Sequence, residues 1–171
     1  MSIQPVRRLF TVTEYYRMAE AGILSEDDRV ELIEGEIIEM TPIGSRHSAC
    51  VDRLSTLFHL HLGKAVIIRV QNPVRLDERS EPQPDVSLLK PRKDYYAEAH
   101  PTPDDVLLII EVSETSIDYD RRVKLPLYAR ALIPEVWLVD IPGDRIEVHK
   151  QPSKEIYQEP RYIQRGQHLS P

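Results

Sequence analysis

The segment that most constrains the fold is an apolar run, VLLIIEV, which occupies positions 106–112 and contains one carboxylate, Glu111. A run of this kind is typical of a strand buried at the centre of a sheet. Burying an unpaired carboxylate is unfavourable because the charged group loses its hydration. Glu111 must therefore reach water at the end of the strand, meet a partner or bind a metal ion. The segment alone leaves these alternatives open.

The rest of the chain supplies the elements of an α/β domain. The order of strand-like and helix-like segments predicts a mixed β-sheet flanked by helices. Its length of 171 residues predicts a single domain over residues 1–171. The predicted helices cover residues 13–22, 45–63 and about 120–131. The predicted strands cover residues 29–40 (a hairpin), 65–70, 85–90, 106–112, 135–140 and 145–150, with further sheet at 73–76. After residue 152 the chain is either a further edge strand or irregular.

Two turn residues and one proline bear on where the hairpin strands and the last predicted helix begin and end. Glu34-Gly35 divides RVELIEGEIIEM into two strands, because glycine after a polar residue is typical of a tight hairpin turn. Pro126 conflicts with the helix predicted at residues 120–131, since proline is favoured only in the first turn of a helix. Either that helix begins near Lys124 or it bends there.

Composition limits the classes of function. The formal net charge is −6, from 28 acidic and 22 basic residues, so binding to nucleic acid would have to rest on a local basic patch. Cys50 is the single cysteine, which rules out an intramolecular disulfide and suits a reducing compartment. We find neither a secretory signal nor an apolar run approaching the roughly 20 residues that span a bilayer. These features predict a cytoplasmic protein.

A second carboxylate precedes another apolar strand. Asp85 follows Pro84 in QPDVSLLK, and in isolation it is most simply a turn residue. If Asp85 and Glu111 lie at the same edge of the sheet, however, they could share a hard divalent cation. Mg²⁺ is typically bound by one or two carboxylates together with waters and phosphate oxygens. Such a cation can activate water and neutralise the charge that develops on a phosphodiester.

Lys124 is the candidate functional lysine on the helix predicted at about residues 120–131. Asp120, Lys124 and Tyr128 are spaced four residues apart and share one helical face. One interpretation is a surface ion pair between Asp120 and Lys124, which would contribute a few tenths of a kcal/mol. The other is a lysine that points towards the sheet and orients water or stabilises a transition state.

Four stretches together resemble the PD-(D/E)XK nuclease superfamily: ELIEGEIIEM, QPDVSLL, IIEVSETSIDYDRRVKLPLYA and IPEVWLVD. In the commonest form of that signature a lysine stands two residues after the glutamate, where this chain has Ser113. A large bacterial group of small restriction-endonuclease-like proteins instead takes the lysine from the following helix. The chain is similar to that group over most of its length.

The resemblance implies a restriction-endonuclease-like fold and a set of site residues. It implies that Asp85, Glu111 and Val112 bind Mg²⁺, for which Mn²⁺ could substitute, and that Lys124 is the relocated lysine. Glu31 resembles a further acidic position that could hold a water on the metal or a second cation. An outward-facing hairpin residue is an equally good interpretation of Glu31.

The leading hypothesis is a metal-dependent endonuclease that hydrolyses DNA phosphodiester bonds. Pairing of two subunits would place two active centres on opposite strands, so a homodimer is expected by functional analogy. The alternative is a nuclease fold retained as a binding or assembly module with weak or no catalysis. Ser113 and the acidic net charge favour the alternative, whereas Asp85, Glu111 and Lys124 together favour the enzyme.

The remaining polar candidates have simpler interpretations. His47 shares a helical face with Val51, which predicts a histidine packed on the core, although it could approach the edge that carries the acids. Tyr128 could cover the lysine, stack on a base or belong to the core, and Cys50 is expected in the core. Glu34 is expected in solvent. Arginines that could meet phosphates, but are more simply surface charges, are Arg46, Arg121 and Arg122.

Overall fold

A six-stranded mixed sheet forms the centre of the fold in the computed structural model, which describes residues 6–25 and 27–169. This architecture confirms the α/β prediction. The helices are α1 (Val12–Glu20), α2 (Ser45–Leu62), α3 (Ile117–Tyr119) and α4 (Leu125–Arg130). The strands are β1 (Val30–Ile33), β2 (Glu36–Glu39), β3 (Ile67–Val70), β4 (Val86–Leu89), β5 (Val106–Ser113), β6 (Glu135–Asp140), β7 (Arg145–Lys150) and β8 (Arg161–Gln164).

The strand order of the main sheet is β3-β4-β5-β6-β7-β8, and only the β5–β6 pair is parallel. β1 and β2 form a separate antiparallel hairpin. Its turn residues Glu34 and Gly35 both have positive φ, 50° and 84°, as a two-residue type I′ turn requires. A Cβ on Gly35 would also lie 2.7 Å from the Cβ of Leu9, so this position needs glycine.

Helices cover both faces of β5. On one face, Val51 and Phe58 of α2 pack against residues of the central strands. On the other, Leu127 and Ala129 of α4 do the same. Side chains alternate along a strand, and Glu111 lies on the α4 side, where it contacts Tyr128 of that helix. The apolar run is therefore a buried central strand, and Glu111 is only 3% exposed.

A π-helical turn, Asp120–Lys124, joins α3 to α4 and resolves the conflict at Pro126. The N–H of Leu125 donates to the carbonyl of Asp120, five residues earlier, instead of four. The widened turn leaves Pro126 in the first turn of α4, where proline is tolerated. Single π turns of this kind occur frequently at functional sites.

One loop prediction needs correction. Residues 73–76 do not extend the sheet, because the N–H groups of Val74 and Leu76 bond to the carbonyls of Pro82 and Ser80 within a compact loop. The chain after residue 152, predicted as an edge strand or irregular, forms the edge strand β8 from Arg161 onward. Within residues 6–25 and 27–169, no helix combines the length and the apolar character needed to cross a bilayer.

Candidate active site

A cavity of about 470 Å³ opens where the start of β4 meets the end of β5. The two strands are antiparallel, and Val86 pairs with Ile110. The residue before Val86, Asp85, therefore lies beside the residues that follow Ile110. Its Oδ2 accepts a hydrogen bond from the N–H of Val112 at 2.8 Å. The charged side chains that line the cavity include Glu31, His47, Asp85, Glu111, Asp120 and Lys124.

Lys124 is buried and points towards the sheet. Its Nζ lies 3.2 Å from Oε2 of Glu31 and 3.3 Å from Oε1 of Glu111. Among the described residues its ion pairs are with these two carboxylates and not with Asp120, so the surface-pair interpretation is wrong. Burial alone would lower the pKa of Lys124, but the negative charges of Glu111 and Glu31 raise it above its ordinary value.

Glu111 is held by two donors inside the cavity. The hydroxyl of Tyr128 donates to Oε1 at 2.5 Å, on the side that also faces Lys124. Burial raises the pKa of Glu111 to about 8, and the charges of Asp120 and Asp85 contribute in the same direction, while Lys124 opposes the shift. Six carboxylates line the cavity, against two basic side chains, Arg29 and Lys124, so acidic groups are in surplus at the site.

Asp85 is contacted by a residue that the sequence pattern had assigned to the core. His47 of α2 places its Nε2 at 3.0 Å from Oδ2 of Asp85, and this hydrogen bond is the main cause of the raised pKa of His47. The prediction of a histidine packed on the core is thus wrong. The other interpretation of His47, that it approaches the sheet edge that carries the acids, is the one that this contact supports. Gln71, which sequence reasoning missed, donates to Oδ1 of Asp85 at 3.3 Å.

Comparison with known proteins identifies the family of the chain. A family model described as "Uma2: Putative restriction endonuclease" matches residues 12–171. The chain belongs to the Uma2 family. The family assignment supports a nuclease function in general. No curated protein sequence matches the chain.

A solved structure shares the fold of this Uma2 protein. It is the crystal structure of "a putative nuclease belonging to DUF820" from Anabaena variabilis ATCC 29413. The two superpose with a TM-score of 0.69 over 95% of this chain and 88% of that one, at 18% sequence identity. This similarity, together with the family match, confirms the restriction-endonuclease-like fold.

Ser113 occupies the position where the commonest nuclease signature has lysine. In this Uma2 chain its hydroxyl donates to Oδ2 of Asp120 at 2.5 Å, and Ser116 donates to the same oxygen at 3.0 Å. Burial raises the pKa of Asp120. Sequence reasoning considered Asp120 only as a partner of Lys124, because the two serine contacts depend on how the π turn folds back onto β5.

Tyr119 is a further residue that the sequence analysis did not single out. Its side chain lines the same cavity, and its buried hydroxyl has no hydrogen-bond partner among the described residues. Burial raises the pKa of Tyr119 to about 12, so the hydroxyl keeps its proton at neutral pH. Nδ1 of His47 is likewise buried without a partner in the described part of the chain. Both groups can hydrogen-bond to something that enters the cavity.

The donor set fits a hard divalent cation. Within the described ranges, no three histidine, cysteine, aspartate or glutamate side chains form a ready-made metal site. Asp85 and Glu111 nevertheless offer carboxylate oxygens at one sheet edge, and Oε2 of Glu111 has no hydrogen bond within the described residues. Mg²⁺ is commonly bound in this way, with waters and phosphate oxygens as the remaining ligands.

Other residues considered from the sequence lie outside this constellation. Arg121 pairs with Glu147 of β7, and Glu34 is exposed and pairs with Arg130. Cys50 is half-buried and packs against the core on the α2 side of the sheet. Among the site residues proposed from the sequence, the cavity brings together Glu31, Asp85, Glu111, Val112 and Lys124.

The raised pKa of Glu111 leads to a pH prediction for the metal-free protein. Its pKa is about 8 in the folded state and about 4.5 in the unfolded chain. The unfolded chain therefore loses this proton first, and the free energy of unfolding should fall as pH rises from about 4.5 to 8. Glu111→Gln should flatten the fall, as measured by urea denaturation in EDTA at a series of pH values. A fall as steep as that of the wild type would contradict the assignment, and Glu98→Gln, in an exposed loop, is the matched control.

Proposed function

We propose that this chain is a divalent-cation-dependent endonuclease that hydrolyses DNA phosphodiester bonds in the cavity around Glu111. The observation that carries the proposal is the position of Lys124, a buried ammonium group within 3.3 Å of Glu111 at the sheet edge that also holds Asp85. A buried lysine surrounded by carboxylates in an open cavity is more typical of a reaction site than of a stabilising ion pair.

Each side chain has a distinct role in the proposed reaction. Asp85 and Glu111 would hold Mg²⁺ or Mn²⁺, and the main-chain carbonyl of Val112 is the third ligand that the family resemblance implies. A bound cation supplies activation of water and neutralisation of phosphate charge. Lys124 donates hydrogen bonds that orient the attacking water or stabilise the charge developing on phosphorus-bound oxygens. Glu31 keeps the ammonium group of Lys124 in position.

Two polar groups that have no partner in the described chain complete the site. The hydroxyl of Tyr119 and Nδ1 of His47 are buried without partners in the described chain, so they are available to donate hydrogen bonds to non-bridging phosphate oxygens. His47 also contacts Asp85 and thereby fixes the orientation of that carboxylate. The hydroxyl of Tyr119 donates in its ordinary protonated form, whereas Nδ1 of His47 donates only in the imidazolium form, which the hydrogen bond to Asp85 favours by raising the pKa of His47.

The second candidate function is a nuclease fold that binds or assembles without catalysis. Its support is that Ser113 replaces the usual lysine and that Lys124 already contacts two carboxylates. The homodimer expected from functional analogy stays a prediction under either function.

Plasmid cleavage separates the two functions. With Mg²⁺ or Mn²⁺ the wild type should convert supercoiled DNA to nicked or linear product, and it should not do so in EDTA. Glu111→Ala should show no product above that background, whereas Glu98→Ala should cleave like the wild type. Absence of cleavage by the wild type with either metal would favour the binding module. Equal cleavage by Glu111→Ala would place the reaction elsewhere.

A smaller effect is expected from removing one hydroxyl. Tyr119→Phe deletes only the oxygen that lacks a partner in the described chain, so stability should change by no more than about 1 kcal/mol. If the hydroxyl donates to the phosphate in the transition state, the cleavage rate should fall by about tenfold, since one such hydrogen bond contributes roughly 1 kcal/mol or more. Single-turnover cleavage measures the change. An unchanged rate would remove Tyr119 from the reaction.

A further inference from the structure

A second cavity concentrates positive charge in a chain whose net charge is −6. It has a volume of about 610 Å³ and lies between the start of α2, the β6–β7 turn and the end of β8. We name it the arginine groove after the four arginines that line it: Arg46, Arg53, Arg145 and Arg165. The acidic groups in its lining are Asp140 and Asp144.

The charges in the arginine groove are only partly compensated. Arg145 lies 3.3 Å from Asp140 and thereby neutralises one of the two acids. Arg53 and Arg165 are exposed, and no carboxylate of the described residues forms an ion pair with either. Arg46 is also exposed, and its partner Glu114 is distant, at 3.7 Å. The groove therefore presents guanidinium groups that are free to bind an anion.

The arginine groove lies beside the active-site cavity at the start of α2. Neighbouring residues at the start of α2 line the two cavities: Gly44 and His47 line the active-site cavity, and Ser45 and Arg46 line the groove. Glu114, which lines the active-site cavity, is the residue that contacts Arg46. A chain-like ligand that leaves the active-site cavity over the start of α2 would pass directly into the groove.

We propose that the arginine groove binds the sugar–phosphate backbone of the nucleic acid next to the bond that is cleaved. Guanidinium groups match phosphate oxygens in geometry and charge, and contacts of this kind position a nucleic acid without reading its sequence. The acidic net charge of the chain makes a local basic surface necessary for such binding, and the groove supplies it. The inference rests on the proposed nuclease function, from which it takes the identity of the ligand.

Binding can be measured without cleavage, so the test does not depend on catalysis. The probe is a fluorescently labelled DNA duplex in EDTA, followed by anisotropy at increasing salt concentration. Arg53→Gln/Arg165→Gln should weaken binding by about tenfold and reduce the slope of log K against log salt by about 2, since two phosphate contacts are lost. The matched control is Arg17→Gln/Lys64→Gln. It removes two exposed charges that line neither cavity.

Each outcome decides the inference. Selective weakening and a reduced salt slope in the groove variant support it. Equal weakening in the control variant would show that only overall charge matters, and an unchanged affinity in the groove variant would exclude the backbone contact; either overturns it. Failure of the wild type to bind DNA would also overturn it, and would leave a protein partner as the better occupant. The nuclease proposal is judged separately, by metal-dependent plasmid cleavage and its loss in Glu111→Ala.

Discussion

Replacing Lys124 with alanine should lower the cleavage rate by about 10²- to 10³-fold, the range measured when one preorganised transition-state donor is removed. The same substitution should destabilise the metal-free protein by about 3–5 kcal/mol, because Glu31 and Glu111 lose the cation that compensates their buried charge. Single-turnover cleavage and urea denaturation measure the two effects. The fall in cleavage rate tests the role of Lys124 in the reaction, whereas the loss of stability tests only its ion pairs with Glu31 and Glu111.

Loss of stability could by itself reduce cleavage, so the experiment needs a matched destabilised variant. Leu127 of α4 is 2% exposed and packs in the core three residues from Lys124. Leu127→Ala should cost about 2–5 kcal/mol through the cavity that it creates, yet it leaves the charged groups unchanged. It should cleave close to the wild-type rate below its unfolding transition. Cleavage like the wild type by a folded Lys124→Ala variant would remove Lys124 from the mechanism.

The parts of the fold that the sequence predicts correctly are those determined by local chemistry. The hairpin turn at Glu34-Gly35 could be predicted because a polar residue followed by glycine readily adopts the positive φ that both positions require. Strand β5 could be predicted because its run of apolar residues is unfavourable in water. α1, predicted to begin at residue 13, begins at Val12, directly after Thr11, which forms a capping box with Glu14. These interactions join residues close in sequence.

The site contains contacts that no local pattern encodes. Lys124 meets Glu31 across 93 positions of chain, and His47 meets Asp85 across 38. Helical periodicity correctly placed Lys124 on one face with Tyr128, but it could not say whether that face met solvent or the sheet. The resemblance to a nuclease superfamily is what favoured a lysine that faces the sheet. The π turn could not be predicted from the sequence either. Pro126 indicates that the helix is irregular, but it does not indicate which kind of irregularity forms.

Surplus negative charge in the active-site cavity predicts a large response to metal. Six carboxylates line the cavity with Arg29 and Lys124, and burial together with like charges holds the pKa of Glu111 near 8. A divalent cation that binds only the folded state stabilises it by mass action, by about 2.7 kcal/mol at 100 times the dissociation constant. For a chain of this size the midpoint of thermal unfolding should rise by about 5–10 °C in saturating Mn²⁺.

Charge-removing variants show whether that response belongs to the proposed ligands. Glu111→Gln and Asp85→Asn keep nearly the same shape but lose the charge that attracts the cation, so both should reduce the thermal shift substantially. Glu98→Gln removes a carboxylate from an exposed loop and should respond like the wild type. Equal shifts in all four proteins would indicate non-specific binding to the surface. If the unfolding midpoint of none of these proteins rises at saturating metal, the carboxylates of the cavity only compensate the charge of Lys124. The binding module then becomes the better account of this fold.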